Sequence, residues 1–212
     1  MTRKISILSI ALALAGASLA LAQNRRPLSP AGTASTMVGG TWSAPDKDGD
    51  REYSGGKWIE VTYSRPMLRG RADIFGNGAD YGKKVSGGDA VWRAGANATT
   101  RLTTEVPLML GGKRIEPGAY SVFVELKEPA WTFILSTQPA MEKYDPNEKT
   151  KTWGSTNYDS KFDVARVPMT MITPKASIDQ FTIGFVDVSD GSGKLAMAWE
   201  KTAALVPFTV AH

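Results

Sequence analysis

The sequence predicts an all-β fold, a single antiparallel β-sandwich or barrel-like sandwich of about nine or ten strands with two long loops. Three observations carry this. Short runs rich in β-branched and aromatic residues recur at hairpin spacing. Gly-, Pro- and Asp-containing turn signals separate them. After the N-terminal apolar run, no amphipathic helical period reaches about ten residues.

The elements follow in order. Lys57-Trp58-Ile59-Glu60-Val61-Thr62-Tyr63 alternates as a half-buried strand does. Residues 101–106 form the next run. Leu108-Met109-Leu110, then Gly111-Gly112, then Lys113-Arg114-Ile115 reads as a tight hairpin. Pro117-Gly118 turns the chain into residues 119–126, where Tyr120, Val122, Val124 and Leu126 share a face. Residues 131–136 and 164–172 are further strands, with Pro168 pointing to an edge or a bulge. Phe181, Ile183 and Phe185 alternate within residues 178–188. Asp190-Gly191-Ser192-Gly193 turns into residues 194–200, where Leu195, Met197 and Trp199 share a face. Residues 203–210 close the chain. Residues 65–98 and 137–162 lack such patterning, and loops this long in a compact domain are usually functional or hide short elements.

The N-terminus predicts export. Arg3 and Lys4 precede an apolar run, and Ala20-Leu21-Ala22 supplies a small-residue cleavage site, so residues 1–22 read as a signal peptide. The expected location is periplasmic or extracellular, with no membrane insertion after cleavage. Residues 23–37, poor in large apolar side chains, read as a flexible tether, and residues 38–212 as a single β-rich domain.

Composition narrows the chemistry. Without Cys there is neither a disulfide nor a lipidated cysteine, so the core alone must hold the domain. The single His is His212, at the chain end, which disfavours Ser-His-Asp and Cys-His nucleophile systems. Zinc and copper sites lean on the same two residue types, so no metal and no cofactor is expected. Removing Arg3 and Lys4 from 25 basic residues against 21 acidic ones leaves a net charge of +2, too small to argue for nucleic acid.

Several motifs have bland readings. Asp46-Lys47-Asp48-Gly49-Asp50 begins like a calcium loop, but Arg51 and Lys57 stand where Gly and Glu are needed, leaving an acidic turn. Ser54-Gly55-Gly56-Lys57 matches a serine-acylation spacing, but two glycines resist the helix it requires. Gly191-Ser192-Gly193-Lys194 lacks the rest of a phosphate loop and reads as a hairpin turn.

The first long loop is richer. Arg65, Arg69, Arg71, Lys83, Lys84 and Arg93 cluster in and around it, and Arg forks suit carboxylate, phosphate or sulfate. Pairing with Glu60, Asp73, Asp80 and Asp89 is the competing reading. Among six tryptophans, Trp131 and Trp199 fall in register with apolar neighbours and read as core, whereas Trp92 and Trp153 lie in loops where rings can stack on ligands. Glu60, Glu105, Glu125 and Glu200 lie on predicted strands, and their separation in space decides whether any two form a hydrolytic pair.

A series of motifs runs through the chain in order: Tyr63-Ser64-Arg65-Pro66, Gly70-Arg71, Ile74-Phe75-Gly76, Tyr81-Gly82 and Val91-Trp92-Arg93-Ala94-Gly95-Ala96-Asn97-Ala98-Thr99-Thr100. Gly112-Lys113, Pro117-Gly118-Ala119-Tyr120-Ser121, Trp131-Thr132 and Trp199-Glu200-Lys201 follow. The set resembles bacterial exported proteins of domain of unknown function family 2911. That resemblance implies export and a β-rich domain. It carries no established activity or catalytic residue. Residues 46–56 look like an insertion relative to the family pattern, and Ser86-Gly87-Gly88-Asp89 lengthens the link before Val91-Trp92.

The leading expectation is a non-enzymatic module for an anionic or hydroxyl-rich ligand such as a glycan, with its site where the first long loop crosses the sandwich. Arg65, Arg71 and Arg93 would donate to the ligand, Trp92 would pack on it, and Asn97 would add a directional hydrogen bond. The alternatives are a carboxylate-dependent hydrolase acting on envelope or plant glycans, and a structural or interaction domain whose motif residues knit the loop to the sheet.

Overall fold

The computed structural model describes residues 27–211. The expected signal peptide, the start of the tether and His212 lie outside them. Among the described residues, fourteen strands run β1 (Ala31–Val38), β2 (Thr41–Trp42), β3 (Tyr53–Ser54), β4 (Lys57–Ser64), β5 (Thr100–Thr104), β6 (Leu108–Leu110), β7 (Lys113–Ile115) and β8 (Gly118–Glu125). They continue with β9 (Thr132–Ser136), β10 (Asp163–Pro168), β11 (Thr170–Ile172), β12 (Ile178–Ser189), β13 (Ser192–Glu200) and β14 (Thr202–Val210). The one α-helical turn among the described residues is α1 (Lys83–Ser86).

These strands build a sandwich. One sheet has the order β1-β4-β5-β8-β9-β10, and the other β12-β13-β14-β6-β7, with β11 also pairing β14. Every ladder is antiparallel. Alternation places Ile59, Val61 and Tyr63 of β4 inward, and Leu195, Met197 and Trp199 of β13 inward against them, in one continuous core. The Tyr63 hydroxyl ties the sheets together: it accepts from the Ile183 amide at 2.9 Å and lies 3.2 Å from the Ile183 carbonyl.

Two expectations need correction. The tether ends early, because residues 31–38 are a strand in unbroken register with β4, from Ala31 opposite Ser64 to Val38 opposite Lys57. Its apolar signal is weak because an edge strand needs few large side chains; Ala34 and Val38 suffice to meet the core, and the ladder supplies the rest. The strand count also exceeds the expected nine or ten. Besides β1, the excess is the two-residue pair β2-β3 and the splitting of residues 164–172. Pro168 closes edge strand β10, Met169 is buried and donates its amide to Trp131 at 2.8 Å, and the chain crosses to the second sheet as β11. The Gly111-Gly112 hairpin forms as β6-β7.

The second long loop lies over the outer face of β8 and β9. Ser121 donates its hydroxyl to the Gln138 carbonyl at 2.7 Å, and Phe123 meets Tyr158 edge-on at 4.8 Å. The buried Gln138 side chain organises this loop, donating to the Thr150 and Asn157 carbonyls and accepting from the Asp159 amide. The outer faces of β1, β4 and β5 carry no such cover among the described residues.

Candidate functional site

The first long loop closes one end of the sandwich. Its start is bound to β12: the Leu68 amide donates to the Asp179 carbonyl at 2.7 Å, and the Phe181 amide to the Pro66 carbonyl at 2.8 Å. Its middle is clamped by Glu200, whose two carboxylate oxygens accept the Asp73 and Ile74 amides at 2.7 and 3.0 Å. This follows Phe75 into the core, where its ring sits 5.8 Å from Trp92, 4.8 Å from Trp131 and 6.1 Å from Trp199. Tyr81 accepts the Trp131 indole N–H at 2.8 Å, and burial raises its phenol above the ordinary range. The loop ends where Trp92 and Val124 exchange two 2.8 Å backbone hydrogen bonds.

Trp92 is therefore a core residue, only 1% exposed. Its indole donates to the Gly95 carbonyl at 3.0 Å and stacks at 12° on Trp199, 6.4 Å away. The reading of Trp131 and Trp199 as core holds. Trp153 is half-buried and tilted against Tyr144.

The five expected binding residues do not converge. Arg65 lies half-buried along β1, with its stem where a Cβ on Gly32 would sit, and its buried Nε has no partner. Arg93 turns toward the second long loop, packs on Gly154 and donates to the Asn97 carbonyl at 3.2 Å. Burial lowers its guanidinium below the ordinary value, and the Asp89 carboxylate opposes that. Asn97 serves through its backbone, in the left-handed region at φ 58°. Of the five, Arg71 and Trp92 border one cavity.

That cavity is an open cleft of about 400 Å³ between the first loop and residues 28–29. Leu28, Pro66, Met67, Leu68, Ile74 and Val85 form its walls over the edges of Trp92 and Trp199. Arg69, Arg71 and Lys84 supply its charge, and no acidic residue lines it. Arg71 is held by the Leu68 and Met67 carbonyls at 3.0 and 2.6 Å, with its guanidinium 5.8 Å from the Trp199 ring centre. Among the described residues, the side chains of Arg69 and Lys84 make no hydrogen bond or ion pair. Of the four expected acidic partners, Asp80 does pair with a member of the basic set, Lys83, and Asp89 accepts from Ser155 while its charge acts on Arg93; none of the four pairs with Arg69, Arg71 or Lys84 among the described residues, and the nearby Glu200 holds backbone amides. The sequence placed Arg69 and Lys84 in the basic set but not among the expected binding residues, and it did not show Glu200 as a clamp. The family motif Trp199-Glu200-Lys201 carried the only signal for the last.

A second groove, of about 350 Å³, lies on the uncovered face of β4 and β5 and is lined by Ser35, Trp58, Glu60, Thr103 and Glu105. Trp58 is 46% exposed, and its amide donates to Glu105 at 2.9 Å. Glu60 pairs with Thr103 in register, so Glu60 and Glu105 are diagonal neighbours with Cβ atoms about 7 Å apart. The Asp46 carboxylate accepts the Asp48 and Asp50 amides, so the acidic stretch is a self-bonded turn.

No curated protein and no solved structure matches the chain. The family described as protein of unknown function (DUF2911) matches residues 45–208, which include the clamped loop, both long loops and the Glu200 motif. The chain belongs to that family.

Proposed function

We propose that the protein is an exported, non-enzymatic binding module and that the end cleft holds an anionic ligand. The observation that carries this reading is three cations lining an apolar cleft that no acidic residue lines, the nearby Asp179 and Glu200 carboxylates being engaged by the Arg69, Asp73 and Ile74 amides. Holding Arg71 by two carbonyls costs its side-chain entropy before any ligand arrives, which favours binding. Such a site weakens with salt, because its charges are exposed.

Titration with organic carboxylates and sulfates, read by the indole N–H resonances of Trp92 and Trp199, tests the proposal. The triple change Arg69→Gln, Arg71→Gln and Lys84→Gln should abolish the response. A ligand that binds the triple variant as tightly as the native protein would put the site elsewhere. Fractionation of the native host tests export.

One observation favours a second reading, a carboxylate-dependent hydrolase acting on glycans: Glu60 and Glu105 share a groove with an exposed indole. As diagonal neighbours on one face, the two side chains reach the same groove, as the two carboxyl groups of a glycoside hydrolase must. Release of reducing ends by the native protein, lost in Glu60→Gln, would support it; no release from envelope or plant glycans would end it.

A further inference from the structure

Resting on the cleft reading above, we infer that the ligand is an amphipathic monoanion, an alkyl carboxylate, and not a hydroxyl-rich glycan. The argument is a count of donors and acceptors. The charged side chains of the cleft are donors only. Four of its backbone acceptors are already used: the Pro66 carbonyl accepts from Phe181, Met67 from Arg71, Leu68 from Arg71 twice, and Gly95 from Trp92. Ser29 is the one side-chain hydroxyl among the lining residues.

A sugar brings several hydroxyl donors, and each one desolvated here without an acceptor is penalised. A carboxylate brings acceptors alone. It matches Arg69, Lys84 and the Nη1 of Arg71, the nitrogen of that side chain with no partner among the described residues. The remaining walls, from Leu28 across Met67 to Val85, ask nothing of a ligand but apolar surface. Met67 is half-buried and adaptable and Leu28 is exposed, so a chain of variable length fits them better than a rigid plate.

The experiment titrates the folded protein with butyrate, hexanoate, octanoate, 1-hexanol and glucuronate, following the Trp92 and Trp199 indole resonances. Full burial of a methylene raises affinity about fourfold, so an open cleft should give about two- to fourfold per added methylene. Hexanoate should bind at least about fivefold more tightly than 1-hexanol. Arg69→Gln with Lys84→Gln should weaken hexanoate and leave 1-hexanol unchanged. Affinity flat with chain length, or 1-hexanol equal to hexanoate, overturns the inference. Glucuronate binding more tightly than octanoate, with the same indoles shifting, also overturns it while the anion-binding reading stands. If no probe shifts either indole, both fall.

Discussion

Replacing Glu200 by Gln tests how the cleft is held. The native carboxylate accepts two backbone amides, from Asp73 at 2.7 Å and Ile74 at 3.0 Å. Gln keeps one oxygen and turns its amide group toward the other N–H. One charge-assisted bond is lost, and the other becomes neutral. Charge-assisted bonds contribute about 1.5–3 kcal/mol and neutral ones about 0.5–1.5 kcal/mol, so the expected loss is about 2 kcal/mol after allowing for partial exposure. For a domain of this size, that lowers the melting temperature by about 4–8 °C. Calorimetry gives the melting point, and hydrogen exchange gives the Asp73 and Ile74 amides directly. The expected result is faster exchange at both, extending to residues 68–75, with the sheets still protected. A melting point within about 1 °C of the native one, with both amides still protected, would refute the clamp.

Two further outcomes are expected. Arg93→Ala removes the bond to Asn97 and the packing on Gly154, and should lower the melting temperature by several degrees while leaving ligand response at the Trp92 and Trp199 indoles unchanged; a lost response with an unchanged melting point would return Arg93 to the site. Glu148 is held down to about 2 from 4.5, first by the Thr150 hydroxyl and then by the Thr150 amide. Its folded value is depressed, so its contribution is present above pH 4.5 and is lost as pH falls through about 2. The Thr150 and Lys151 amides should therefore lose protection, measured against their intrinsic exchange at each pH, across that window, and Thr150→Val should move the Glu148 titration, followed by carboxyl resonances, back toward 4.5. An unmoved titration in Thr150→Val contradicts the hydrogen-bond cause.

Period-two alternation survived folding wherever one face met the core. β4, β13 and the β6-β7 hairpin fall where Val61, Met197 and Gly111-Gly112 say they do. Pro168 marked an edge because a missing N–H cannot serve a central ladder. The strand at residues 31–38 escaped notice because its order comes from partners 19 to 33 residues away, and Ala, Thr and Ser signal little by themselves. The loops carried no period at all. What orders them is Phe75 among three indoles and Gln138 among three backbone groups, contacts with no local signature.

By itself, the sequence determined the all-β class, the family and the gathering of cations in one loop, since these depend on residue type and short-range order. Tertiary structure alone decided which cations share a cleft. Arg65, Arg69, Arg71 and Arg93 belong to one stretch of sequence, but the folded chain gives their side chains different surroundings. Arg69 and Arg71 remain with Lys84 at the rim, while Arg65 packs along β1 and Arg93 along the second loop. Trp92 was resolved the same way: its chemistry suits a ligand, but its backbone pairing with Val124 turns the ring inward onto Trp199.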